Sequence, residues 1–436
     1  MAISTDAMYN AESRYLHKMY RIHFSSTQIL EVVKSNYLIS SSILEETSKT
    51  SEKPFGDITS NELELSLLND NGIFNPKNVR GPYYGLIRSG IKIEAFIRPD
   101  RVDEWDPIGV FYVTDWSTSS NGMTAEVVAN DKLYSILNAP VPSMGIIRNV
   151  KLSTFLSDYF ALFNASITVD TSVDITLPYI FTSGYSDNRG LLLDLMIAAL
   201  ADCYCAHDGS IIVMHRTAPR DTRATFTDSD QLISVAIKQS ISTDYDSASV
   251  TYHAMQESPE QEVLSISSLR VEPGVTKTEL TKFSTEKVVS VKSVRVEGSS
   301  TKPITFAATA DNIVISLQST SSEEVGIKVV GTVLDTVSSV VSTEGFSAVN
   351  LDSRFVQTVD NANEVLAYSN RYVNEAVSTV ELTIRGNPKI ELGSKVLVDS
   401  TKYRLQYTGT LVKAQYKYDG GLSCTVTLMI DMTEEV

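Results

Sequence analysis

Residues 62–67 read Glu-Leu-Glu-Leu-Ser-Leu. Strict alternation puts all three leucines on one face of an extended strand and the polar residues on the other. A helix would scatter the same leucines around its axis. Working outward, Tyr20–Phe24 alternates in the same way, and Ile91–Ile97 and Gly109–Val113 read as further strands. Thr124–Ala129 follows Asn121-Gly122, a pair that accepts the positive φ of a hairpin turn. Residues 1–138 therefore read as one antiparallel β domain, a barrel that closes on itself.

The pattern changes after Asn138. Ala139-Pro-Val-Pro142 is a stiff, extended connection. Leu152, Phe155, Leu156, Tyr159 and Phe163 fall at helical spacing, and a second helix covers Leu191–Ala201. Two short runs, Cys203–Ala206 and Ile211–His215, flank Asp208-Gly209, a turn pair. Residues 139–235 read as a small α+β module. Strands return at Ile237–Ile241 and Ser247–His253, then break at Pro259. Residues 257–344 read as an inserted β-sandwich, with strands such as Val288–Val296 and Val325–Val330. Residues 236–256 and 345–436 read as a second β-barrel domain with one helix, about 363–377, and four C-terminal strands. The expected class is mainly β with a small α+β insertion: two related antiparallel β-barrels, each interrupted by an inserted module.

At 436 residues the chain is long enough for several cores. It is 42% hydrophobic and 21% charged, which excludes wholesale disorder. Lys+Arg is 37 against Asp+Glu 53, a net charge of −16. Sequence-independent nucleic-acid binding needs a basic surface to displace counterions, and this composition argues against one. The most apolar run, Leu191–Leu200, is broken by Asp194 and is too short to span a bilayer. No basic start followed by an apolar stretch marks a signal peptide. Three cysteines, Cys203, Cys205 and Cys424, do not make a secreted disulfide scaffold.

No reading of the residues points to catalysis. His17, His23, His207, His215 and His253 lack zinc spacing, and His207, beside a turn, is expected in solvent. Cys203 and Cys205 read as small buried hydrophobes on one strand face. Ser284–Lys287 and Ser299–Lys302 match Ser-x-x-Lys, but in strand or loop sequence that cannot bring the amine to the hydroxyl. Asp103, Glu104 and Asp106, Asp228 and Asp230, and Asp244 and Asp246 read as solvated turns. Trp105 and Trp116 read as packing residues, with sugar stacking as the alternative. The expectation is no catalytic, cofactor or metal residue, no cofactor, and no enzyme.

Several stretches together resemble the bacteriophage baseplate hub and tail-tip family, whose fold is shared with the N-terminal part of tail-associated lysins. Gly56-Asp-Ile-Thr-Ser-Asn-Glu-Leu-Glu-Leu-Ser-Leu-Leu-Asn69 is similar to the family's segment after the first sharp corner. Gly90–Phe96 resembles the strand that crosses next, and Ile108-Gly-Val-Phe-Tyr-Val-Thr-Asp-Trp116 the strand before the closing hairpin. Thr124–Leu133 looks like the exit from the first barrel. Gly190–His215 is similar to a helix, strand, turn and strand of the family. Arg385-Gly-Asn-Pro-Lys-Ile-Glu-Leu-Gly393 and Gly409–Thr425 resemble its last corner and final hairpin.

The resemblance implies a homotrimer whose two barrels per chain place six around one axis, joining a six-fold tail tube to a three-fold tip or spike. It implies tail-tube and distal tail proteins above, and receptor-binding or peripheral baseplate proteins outside. Genome DNA would pass without specific binding along an acidic bore. The place would be the virion, assembled in the host cytoplasm. Tail-associated lysins continue into a wall-degrading domain, whereas this sequence ends at Val436 after the last strand, so a tip, spike or lysin is expected on a separate chain. Two other readings are the hub of a bacterial contractile injection system and a carbohydrate-binding or polysaccharide-degrading β protein.

Overall fold

The computed structural model describes residues 16–47, 58–99, 103–216, 222–228, 232–239, 245–281, 287–308, 312–374, 378–384, 387, 390–419 and 422–430. Leu63, Leu65 and Leu67 are fully buried and their neighbours Glu62, Glu64 and Ser66 are not, so the alternation of residues 62–67 sets the strand Glu62–Leu68. Burying each such leucine contributes roughly 1.5–3 kcal/mol. The Asn121-Gly122 turn, with Gly122 at φ +71, joins Asp106–Thr118 to Thr124–Asn130.

Among the described residues the largest sheet has 13 strands and contains both β regions of the chain. The N-terminal half runs Leu38–Glu46, Glu62–Leu68, Thr124–Asn130, Asp106–Thr118, Lys92–Pro99, Leu16–His23 and Ile29–Val33 in spatial order. The C-terminal half runs Leu232–Gln239, Ser378–Ile384, Leu422–Ile430 and Leu405–Tyr418. Leu405–Tyr418 forks. Its first residues pair with Lys395–Ser400, which pairs in parallel with Thr222–Thr227. Its last residues, Lys413 to Tyr418, pair with Leu38–Glu46. The two β regions are therefore half-barrels fused edge to edge, with one shared core that runs from Leu16 to Leu428. Leu38–Glu46 finds its outer partner in the C-terminal strand rather than in Ile29–Val33, so the backbone ladder of the first half continues into the second.

Two strands fall on other sides of the expected boundaries. Thr222–Thr227, placed by sequence in the α+β module, belongs to the large sheet. Ser247–Glu257, placed in the second barrel, pairs instead with Glu323–Ser342 and Ala348–Asp352, and Val250 enters the core of the α+β module. Alternation gives a strand an apolar face but does not say which core receives it. The long helix spans Val359–Asn374, one turn earlier than expected, and its Ala362 and Val365 join that same core. Residues 375–377 lie outside the described residues.

The module contains helices Lys132–Leu137, Leu152–Ala161 and Asn188–Ala199 and the hairpin Ala201–Cys205 and Ile211–His215. Asp187 caps Asn188–Ala199 by accepting from Gly190 N at 2.8 Å, and Leu200 at φ +50 ends it. Leu152–Ala161 is capped from a distance, since Ser153 N donates to Asp174 Oδ1 at 3.0 Å. The sandwich has Gln261–Val271, Glu323–Ser342 and Val288–Glu297 in one layer and Gly274–Thr281, Asn312–Ser319 and Thr301–Ala308 in the other. Its core is a separate cluster that includes Val263, Ile315, Ile327 and Val329. Glu323–Ser342 is 20 residues long and serves the sandwich with its first half and the module's sheet with its second. Among the described residues no helix is long and apolar enough to cross a membrane.

Candidate functional site

The place where three parts of the chain meet is the seam between the half-barrels. Its backbone is the ladder from Ser41–Tyr418 to Glu46–Lys413, extended by Thr47 N donating to Val412 O at 2.9 Å. On the polar face Lys413 Nζ lies 3.1 Å from Glu46 Oε2. On the core face Tyr416 and Tyr418 sit beside Cys424 and Lys18.

The hairpin of the α+β module is wedged against this seam. Tyr204 Oη donates to Leu392 O at 2.9 Å, which ties the hairpin to the second half. Asn61 Nδ2 donates to Cys205 O at 3.1 Å, which ties it to the first. Gly209, at φ +85, lies so close to Val110 that a Cβ would come within 2.9 Å of the valine's own Cβ, so glycine is required there. Asn61 N also donates to Asp131 Oδ2 at 2.7 Å, and Asp131 Oδ1 accepts from Tyr134 N to cap Lys132–Leu137. Burial pushes the Asp131 carboxyl up to about 6 against these bonds.

Charged side chains fill the seam's interior. His207 is 5% exposed, and its Nε2 is 2.9 Å from Glu45 Oε1; Glu45 is 2% exposed. His207 Nδ1 is 3.8 Å from Glu391 Oε1, which reaches solvent. His207 is thus buried between the two halves, not solvated as the adjacent turn suggests. Lys18 is 3% exposed, and its Nζ has no hydrogen-bond partner among the described residues; it lies 5.9 Å from the centre of the Tyr418 ring. Burial pushes the Lys18 ammonium down to about 8, with Cys424 and Glu45 opposing. Burial also raises the Tyr416 and Cys424 groups, so both stay neutral.

The opposite face of the sheet is polar. Glu62, Glu64 and Ser66 alternate with the buried leucines, and Glu126 accepts from Ser66 Oγ at 3.0 Å. A groove of about 620 Å³ crosses the seam here, lined by Ser40, Ser42, Glu64, Ser66, Glu126 and Lys417. The outermost strands are Ile29–Val33 at one end and Leu232–Gln239 at the other, each paired on one side among the described residues.

The other residues singled out from sequence are dispersed. Cys203 and Cys205 are buried thiols in the module core, and Cys205 also hydrogen-bonds Asp131. His23 pairs with Glu94 at 2.8 Å on the polar face, and His253 with Asp352 at 2.6 Å. His17 is exposed on the strand Leu16–His23, and His215 ends the hairpin strand Ile211–His215. Ser299 bonds Glu323 rather than Lys302. Asp228 organises a turn by accepting from Ser400 Oγ, Thr401 Oγ1 and Lys402 N, and Asp246 does so by accepting from Phe346 N and Ser347 N. Asp103 pairs with Arg98 at 3.4 Å, while Glu104 and Asp106 stand nearby on the way into the strand Asp106–Thr118. Trp116 Nε1 donates to Phe74 O at 3.0 Å among Phe24 and Phe74, whereas Trp105 lies under the Arg98 guanidinium at 4.9 Å. Asp230, Asp244 and Ser284 lie outside the described residues, as do residues 56–57, 385–386, 388–389 and 420–421 of the corners quoted above. Sequence reading missed Lys18 and Glu45. The signal was there: Lys18 is in phase with Leu16, Tyr20 and Ile22, and Glu45 with Ile43, so both charges sit on an apolar face.

Two half-barrels fused into one sheet, with a helical module and a sandwich as excursions, define the class: this is the fold of phage tail proteins. The 43 kDa tail protein of prophage MuSo2 from Shewanella oneidensis superimposes with a TM-score of 0.56 at 12% identity, over 95% of this chain and 100% of that one. The tail protein from Neisseria meningitidis MC58 does so with a TM-score of 0.55 at 9% identity, over 95% and 97%. No protein-family model and no curated protein matches the sequence.

Proposed function

We propose that this protein is a structural hub of a phage tail tip, a homotrimer that joins the six-fold tail tube to a three-fold tip or spike. The observation that carries the reading is the seam itself, Ser41–Glu46 paired with Lys413–Tyr418. It gives each chain two half-barrels side by side, so three chains present six to a tube above. The outer strands Ile29–Val33 and Leu232–Gln239, each paired on one side only among the described residues, supply edges for neighbouring copies, and ring closure satisfies them. In this reading the polar face lines the bore. Glu62, Glu64 and Glu126 lie on strands without Lys or Arg, and such a wall repels passing DNA.

The partners are tail-tube and distal tail proteins, a tip, spike or lysin on a separate chain, and peripheral receptor-binding proteins at the sandwich. The protein works in the virion after assembly in the host cytoplasm and catalyses no reaction. Its counterpart in a contractile injection system would use the same geometry. The carbohydrate reading needs Trp105 and Trp116 as stacking faces; each is already engaged, one with Phe24 and Phe74 and the other with Arg98.

Native mass spectrometry with negative-stain imaging tests the proposal. The expected result is three times 47.9 kDa and open three-fold rings, alone or after tube and tip proteins are added. A chain that stays monomeric with both present overturns it.

A further inference from the structure

His207 and Glu45 form an ion pair that is sealed from solvent on both sides, at 6% and 2% side-chain exposure. The pair sits where the module hairpin meets both half-barrels. Glu45 comes from the first half, Glu391 from the segment leading into Lys395–Ser400 of the second, and His207 from the hairpin turn. We infer that this cluster is a proton-controlled latch, in which protonated His207 pins the hairpin into the seam and loss of that proton frees it.

The charges facing His207 support the direction. Glu45 and Glu391 approach from the two halves, and Asp208 adjoins it on its own turn, where the histidine helps to hold that carboxyl low. Lys18 faces Glu45 from Leu16–His23, and Tyr416 and Cys424 face it as neutral groups. With an imidazolium, three carboxylates meet two cations, a formal charge of −1. With a neutral imidazole the same cluster carries −2, and Glu45 loses the cation 2.9 Å from its Oε1, while its Oε2 has no hydrogen-bond partner among the described residues. A buried carboxylate with less compensation is costly, and parting the hairpin from the seam would let water reach it. Gly209 packs directly against Val110, so the tip of the hairpin seats on the first half with no room for a larger residue. The latch is a property of the single chain, so it stands whether or not the chain forms a ring.

Hydrogen exchange of the full chain tests it. The turn amides of Ala206 and Gly209, bonded to Ser210 O and Ala206 O, are followed at about pH 5.5 and about pH 8.5, on either side of the ordinary imidazole range. Rates are divided by those of the unfolded chain. The expected result is about tenfold lower protection at the higher pH, the equivalent of one unit of proton linkage. His207→Gln abolishes most of that ratio. Glu391→Gln, at a half-exposed position that does not threaten folding, at least halves it. Lys18→Met keeps more than half of it. Equal protection at both pH values in the unmodified chain overturns the latch. So does a His207→Gln variant that keeps the full ratio, or a Lys18→Met variant that loses it entirely, because the switch would then be the lysine.

Discussion

Tyr20 Oη donates to Ser41 Oγ at 2.6 Å, and the two residues lie on strands that are not neighbours in the sheet. Four strands separate Leu16–His23 from Leu38–Glu46 along the ladder. The first half therefore curls until its ends touch through side chains, although its backbone ladder runs on into the second half. Tyr20 is fully buried and burial pushes its hydroxyl well above the ordinary phenol range, so it remains a donor at neutral pH. Tyr20→Phe leaves the buried Ser41 hydroxyl without its donor and costs about 1–2 kcal/mol in urea unfolding. An unchanged midpoint would show that water replaces the phenol.

Lys18 makes stability depend on pH in an unusual direction. The folded chain releases this proton near pH 8, while the unfolded chain holds it to about 10.5. Between those values the unfolded chain binds more protons, so the lysine's contribution to stability rises with pH. The rise is at most about 3 kcal/mol. Lys18→Met fills the same space without the charge. It is expected to stabilise the chain by about 1–3 kcal/mol at neutral pH, with the gain shrinking toward pH 10. Thermal melts of both proteins across that range check it, and a gain that does not shrink removes the lysine as its source.

The sandwich can be excised at a defined place. Ser258 N donates to Val333 O at 2.9 Å and Val333 N donates to Ser258 Oγ at 3.0 Å, so the two ends of the insertion are already side by side. Replacing Pro259–Thr332 with a two-residue Asn-Gly turn is expected to leave the remaining cores folded and ring assembly intact while peripheral attachment is lost. A cut at Val263–Val341 would be damaging, because Leu334 to Val341 pair with Ser247–Glu257. Circular dichroism, mass and co-purification with baseplate proteins read the three outcomes; loss of the ring in the first deletion would place assembly contacts on the sandwich.

The polar face offers a test of the bore. Changing Glu62, Glu64 and Glu126 to Lys leaves the buried leucines untouched, and surface changes of this kind shift stability by about 0.5 kcal/mol or less each. The assembled variant is expected to retain duplex DNA at low salt and release it as salt rises, whereas the unmodified assembly does not bind. Mobility shift at two salt concentrations reads this directly. If the variant ring also ignores DNA, these strands do not face the channel.

Much of this fold was legible in the residues. Leu63, Leu65 and Leu67 announce their strand, and Asn121-Gly122 announces its hairpin, because period and turn chemistry are local. What stayed hidden is long-range. Ser41–Glu46 meets Lys413–Tyr418 more than 360 positions later, and nothing in either stretch names the other. Ser247–Glu257 alternates as a barrel strand would, yet gives Val250 to the module core. His207 follows a polar turn that reads as solvent-exposed, and only the approach of Glu45 from another part of the sheet buries it. Charges on apolar faces, such as Lys18, were the available clue to the seam.

The strand Glu323–Ser342 runs through both the sandwich and the module's sheet. At roughly 3.3 Å per residue, 20 residues make a beam about 65 Å long. Its outer part is clamped between Gln261–Val271 and Val288–Glu297, and its inner part is bonded to Ser247–Glu257, on which the helix Val359–Asn374 packs. The two parts belong to one continuous strand. The same backbone thus serves both sheets, so a tug on the sandwich would bear on the module, whose hairpin sits at the joint between the half-barrels.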